Sequence, residues 1–100
     1  MWDRMLIDMG EVKENSTLAF SFTHAGLISN VNLTPSCGCA MVRWCTDSNS
    51  VIGNVDVGGF PKHLRQAGVK EFLFIKTVTA SYTKNGENKN DILIIKAKLI

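Results

Sequence analysis

A single all-β domain, an antiparallel β-sandwich of about seven strands, is predicted by three features of the sequence. Apolar residues recur with a period of two rather than 3.6. Turn-forming residues break the chain at short intervals, and the strongest such signal is Asn85-Gly86. The length, 100 residues, suits one domain with one core, so residues 1–100 are read as one unit.

The elements follow in order. A first strand lies around residues 5–9. Residues 17–23 alternate cleanly, with Leu18, Phe20 and Phe22 on one face and Ala19, Ser21 and Thr23 on the other. Residues 27–33 repeat this more weakly, setting Val31 and Leu33 against Asn30 and Asn32. Val42 and Trp44 then share a core-side face, with Met41 and Arg43 opposite. In residues 50–57, Val51, Val55 and Val57 oppose Asn54 and Asp56, and Gly53 among the apolar positions marks a bulge or a close approach. Residues 69–82 are rich in β-branched and aromatic side chains. Within them Phe72-Leu73-Phe74-Ile75 is apolar on both faces, which calls for a central strand or a bulge. Residues 84–90 read as the turn of a hairpin. Residues 92–100 return as its second strand, with Leu93, Ile95, Ala97 and Leu99 on the core face and Lys96 and Lys98 outward, at an edge or toward solvent. Only residues 62–66, after Pro61, look helical, as one turn within a loop.

Hydrophobic residues make up 45% and charged residues 20%, a balance that excludes disorder. The net charge of +2 is too small to imply a nucleic-acid partner. No apolar run approaches the roughly 20 residues of a membrane span. Asp3, Arg4 and Asp8 interrupt any apolar run at the N-terminus, so no signal peptide is expected. The expected location is the cytosol, with packing into a virus particle as the alternative.

Gly10-Glu11-Val12, Leu18-Ala19-Phe20-Ser21-Phe22 and Ser36-Cys37-Gly38-Cys39, in this order, resemble the bacterial domain-of-unknown-function family 1573. That family resembles the Hydin and major-sperm-protein sandwiches, so the resemblance implies an immunoglobulin-like fold. The closing run Leu93-Ile94-Ile95-Lys96-Ala97-Lys98-Leu99 is similar to the family's last strand, with Ala97 in the usual glycine place. Asp47-Ser48-Asn49-Ser50 replaces the family's Pro-Gly step, and the stretch from Gly58 to Gly68 is longer than its counterpart. The family carries no settled activity, and a fold alone does not fix one.

Cys37 and Cys39 are the most distinctive side chains. With Cys45, His24 or His63 they have the donor types for zinc or copper(I). One pair with a single-residue spacer and no second pair falls short of a structural zinc pattern, and buried packing of small thiols is the simpler reading. No P-loop, GxSxG or HExxH occurs, and neither histidine belongs to a nucleophilic motif, so no enzyme activity and no cofactor are expected. Lys62, His63, Arg65 and Lys70 form the densest basic segment, with Phe60 as the nearest aromatic. Trp2 is a large aromatic near the terminus, where chains normally fray, so it docks either on this domain or on a neighbour. The expected interface comprises Trp2, Met5, Phe60, Lys62, His63, Arg65, Lys70 and Ile100. The expected function is that of a non-enzymatic module contacting protein partners in a larger assembly, such as a capsid decoration protein or a tail or neck adaptor of a phage virion. Homo-oligomerisation is left open, and no membrane partner is expected. The alternatives are a thiol or soft-metal carrier built on Cys37 and Cys39, and an adaptor reading an acidic partner through residues 62–70.

Overall fold

The computed structural model describes residues 2–36, 38, 40–59, 67–68 and 72–100. Within them lie seven strands: β1 (Leu6–Val12), β2 (Thr17–Thr23), β3 (Ser29–Pro35), β4 (Ala40–Cys45), β5 (Ser50–Asp56), β6 (Phe72–Lys84) and β7 (Glu87–Leu99). They form two sheets, ordered β1-β7-β6-β3 and β2-β5-β4. This is the sandwich that the alternation predicts, and it is immunoglobulin-like. The antiparallel expectation has one exception: β1 runs parallel to β7, while the other four pairings are antiparallel.

The core consists of the inward positions of both sheets. Phe22, Val51 and Val55 from one sheet meet Val78, Ala80, Leu93 and Ile95 from the other, all completely buried. Each large aliphatic or aromatic side chain among them contributes roughly 1.5–3 kcal/mol relative to an exposed position. Gly53 belongs to this packing as a close approach, not a bulge, because β5 keeps an unbroken register with both β2 and β4. A Cβ there would lie 2.5 Å from the Met41 carbonyl oxygen and 2.7 Å from the Phe20 ring.

The β6–β7 hairpin is the spine of the molecule. Each strand has 13 residues, or about 43 Å at roughly 3.3 Å per residue. The connecting turn is shorter than the polar run 84–90 indicates. Lys84 pairs with Glu87, leaving Asn85 and Gly86 at φ 52° and 80°. Two successive residues in the left-handed region make the tight turn whose twist matches the strands. Residues 87–90 continue the ladder although they are polar throughout. They lie past the end of the core, where both faces of the hairpin meet water.

The N-terminal segment serves both sheets. Trp2 bridges to His24 beyond the end of β2. The Asp3 N–H donates to the Thr23 carbonyl at 2.8 Å, and the Thr23 N–H donates to the Asp3 carboxylate at 3.0 Å. The chain then crosses over, and β1 takes its place beside β7 from Leu6 onward. β1 therefore runs further than residues 5–9, with a register shift between Asp8 and Glu11 at Gly10, whose φ is 71°.

Candidate functional site

The outward side chains of the four-stranded sheet follow directly from its register. Leu6 stands beside Ile94 and Asp8 beside Lys96. Ile94 pairs with Thr77, Ile92 with Thr79, Lys96 with Ile75 and Lys98 with Leu73. Directly opposed residues point to the same face, so these positions form rows across β1, β7 and β6. Four of them are large aliphatic residues left about half exposed: Leu6 at 50%, Leu73 at 51%, Ile75 at 50% and Ile92 at 55%. With half-buried Ile94 they make five large aliphatic side chains on one outer face, interleaved with Lys96 and Lys98.

Polar side chains stand at both ends of this face, at one end in the same rows as Leu73 and Ile75. Asp8, Glu11, Lys96 and Lys98 surround an open hollow of about 500 Å3 beside Leu73 and Gly10. At the other end, Ser81 donates to Asn90 at 2.6 Å and Thr83 to Asn88 at 3.2 Å, giving a ladder of short uncharged side chains. The apolar rows lie on the hairpin spine, whose inward Val78, Ala80, Leu93 and Ile95 are completely buried. The surface is therefore held by the most completely packed part of the molecule.

Apolar residues on both sides of 72–75 do not arise from a bulge, since β6 pairs with β7 without a shift. Nor are they sandwiched between two strands. β3 reaches only Val78, and Ser36 extends that contact to Thr77. Leu73 and Ile75 simply face solvent.

Trp2 corrects the sequence expectation. It is 5% exposed and packs edge-on against His24, Trp44 and Tyr82, with ring centroids 5.0, 6.3 and 6.0 Å away. Its Nε1–H donates to the Asp91 carboxylate at 2.8 Å, and the Tyr82 hydroxyl donates to the same oxygen. Trp2 is thus a plug between the sheets, unavailable to a neighbour. Burial of the phenol, reinforced by the Asp91 carboxylate, pushes the Tyr82 pKa up to about 12. His24, 3% exposed, accepts a hydrogen bond on Nδ1 from the Gly26 N–H at 3.0 Å. Asn49 ties this corner together by donating to the His24 and Gly26 carbonyls at 2.6 and 2.7 Å.

Of the other predicted interface residues, Met5 and Ile100 are exposed, at 44% and 49%. The Met5 carbonyl accepts from the Ile94 N–H at 2.8 Å, which places Met5 at the margin of the apolar rows. Phe60, Lys62, His63, Arg65 and Lys70 lie outside the described residues, as do Cys37 and Cys39. Cys45 is half-buried at the end of β4. Hydrogen bonding to Ser48, through its side chain first, holds this thiol below its ordinary pKa. Among the described residues, no three His, Cys, Asp or Glu side chains group as metal ligands. Leu6, Leu73, Ile75 and Ile92 are absent from the predicted interface. The signal for three of them was visible: strands that alternate with apolar residues in both phases have a face that the sandwich itself does not bury.

No protein-family model matches the chain, and no curated protein matches it in sequence. Among solved structures, it is similar to the SrpA adhesin from Streptococcus sanguinis, with a TM-score of 0.52 and 16% identity over 94% of this chain and 57% of that one. It is similar to the protocadherin GammaB4 extracellular domain, with a TM-score of 0.54 and 12% identity over 97% of this chain and 16% of that one. It is also similar to an endo-fucoidan hydrolase of glycoside hydrolase family 107, with a TM-score of 0.51 and 10% identity over 100% of this chain and 13% of that one. The chain thus spans 57% of the adhesin and under a fifth of the other two. At these identities the likeness is one of fold.

Proposed function

We propose that this domain is a non-enzymatic protein-interaction module that docks a partner on the outer face of the β1-β7-β6-β3 sheet. One observation carries the reading: Leu6, Leu73, Ile75 and Ile92 are aligned on a single rigid face, each about half exposed. Covering these half-exposed side chains, at about 25 cal/mol per Å2 of apolar surface, gives a gross driving force on the order of several kcal/mol. That is comparable to the cost of association, so the rim decides the outcome. Asp8, Lys96 and Lys98 at one end and the Asn, Ser and Thr ladder at the other supply orientation rather than affinity. The finer reading is a small auxiliary subunit of a larger particle, such as a phage virion. It is supported by the same face, which suits a narrow domain lying flat on a neighbouring subunit.

The test uses the full chain and its native source. The wild type and an Ile75→Asp/Ile92→Asp variant are compared for the proteins that co-purify in stoichiometric amounts, and the wild-type complex is footprinted. The expected result is a protein partner that shields Leu73, Ile75 and Ile92 and is lost with the variant, while the variant's thermal unfolding stays near that of wild type. A partner retained by the variant, or a footprint elsewhere, counts against the proposed face. A partner that belongs to no particle counts against the finer reading alone.

A further inference from the structure

An asparagine can close on its own backbone with no reagent other than water, and the residue that follows decides how readily it does so. The nitrogen of that residue bonds to the side-chain amide carbon, so any side chain on it stands in the way. Of the eight asparagines in the chain, only Asn85 precedes glycine; Asn15 and Asn49 precede serine, and the others precede larger residues. The structure separates these three further. The half-buried Asn49 amide is tied to the His24 and Gly26 carbonyls at 2.6 and 2.7 Å. Asn15 is exposed, but its N–H donates to the Gly58 carbonyl at 3.3 Å and the Ser16 hydroxyl to the Lys13 carbonyl at 2.7 Å. Asn85 and Gly86 are both exposed at the hairpin tip, and among the described residues the Asn85 side chain has no hydrogen-bond partner. The full length of β6 separates this tip from residues 69–71.

We infer that Asn85-Gly86 is a self-modifying site whose reaction is gated by the hairpin turn. The Gly86 nitrogen bonds to Asn85 Cγ and gives up its proton, while the Cγ–Nδ2 bond breaks and ammonia leaves. Water then opens the cyclic imide. Cleavage between the nitrogen and Cγ leaves aspartate; cleavage between the nitrogen and the main-chain carbonyl carbon leaves isoaspartate, with the chain routed through the side chain. The gate is conformational. Successive φ values of 52° and 80° belong to a turn with ψ of roughly +30° at its first central residue. At that angle the Gly86 nitrogen lies nearly opposite Cβ across the Cα–C bond, so the ring cannot close until the turn opens. The aspartyl product keeps the turn, because Asp-Gly suits it as Asn-Gly does. The isoaspartyl product does not. It carries an extra main-chain atom, so Lys84 and Glu87 no longer oppose each other, and the pairing that holds Thr83 against Asn88 is lost. The site therefore keeps a covalent record of tip opening, and it does so whether or not the outer face of the sheet binds a partner.

The experiment incubates the full chain in mildly alkaline buffer, native and unfolded in urea side by side. Peptides containing Asn15, Asn49 and Asn85 are followed by mass, and isoaspartate is scored by enzymatic methyl transfer. Asn85 is expected to convert first in both. Its native rate is expected to lie roughly tenfold below its rate in urea, as suits a strand end that opens locally. Glu87→Pro removes the N–H that closes the turn. It is expected to bring the native rate toward the urea value, while thermal unfolding stays near that of wild type because residue 87 is exposed. In the isoaspartyl chain the cross-strand NMR contacts between Thr83 and Asn88 disappear. Conversion at Asn15 or Asn49 ahead of Asn85, equal rates in the native and unfolded chain, a native rate that Glu87→Pro leaves unchanged, or an isoaspartyl chain that keeps the Thr83–Asn88 contacts would each overturn the inference.

Discussion

Trp2 shows how much one side chain can anchor. It fills the gap between the two sheets and shares the Asp91 carboxylate with Tyr82. Trp2→Ala is expected to cost about 3–5 kcal/mol, as for other large aromatic truncations in cores. Asp91→Ala is expected to cost about 1–3 kcal/mol by leaving two donors without an acceptor. The double variant should lose less than the sum, because the two changes remove one interaction; urea unfolding of all four proteins measures this. The sequence placed Trp2 at a terminus without periodic context, so nothing local distinguished a plug from a docking residue. The same cluster sets an alkaline limit. The folded phenol holds its proton to about pH 12 rather than the ordinary 10. The folded state therefore binds more protons than the unfolded chain across that window. This contribution is intact below about pH 10 and is lost as pH rises toward about 12. Tyr82→Phe should flatten that limb of the stability profile by about 1–3 kcal/mol, seen by comparing denaturation midpoints at pH values on either side of the window.

At the level of elements, β2 and β7 were the most legible. Leu18, Phe20 and Phe22, and Leu93, Ile95, Ala97 and Leu99, keep one phase against one core, so period and burial agree. The hairpin tip was less so. Residues 87–90 carry no apolar alternation because they pair outside the core, and composition alone made them appear to be loop. Gly53 was recognised as special, but only the packing distinguishes close approach from a bulge. Gly53→Ala must push a methyl group against the Met41 carbonyl and the Phe20 ring. It is expected to destabilise by about 1–3 kcal/mol, the usual cost of overpacking, and a lowered melting temperature would record it. A neutral outcome would mean that β4 and β5 separate more readily than their register implies.

The whole molecule is long and narrow, with extents of 52 × 19 × 17 Å, because the hairpin is nearly twice the length of the strands around it. Its middle is covered on both flanks, by β3 along Val78 to Thr83 and by β1 along Ile94 to Leu99. The slowest hydrogen exchange is therefore expected at residues 78–82 and 93–97, and the fastest strand exchange at 87–90, a gradient that native-state exchange would resolve. The apolar outer face was half legible at this scale. Two-phase hydrophobicity in residues 72–75 was plain, but its outward half was assigned only by the packing, which buries Phe74 and leaves Leu73 and Ile75 half exposed. Finally, the crossing of the first strand from one sheet to the other has a consequence for biosynthesis. β1 and Trp2 are synthesised well before their partners β7 and Asp91. The leading segment has no sheet to join until β7 is free, so closure of the sandwich waits for the whole domain and is governed by long-range search.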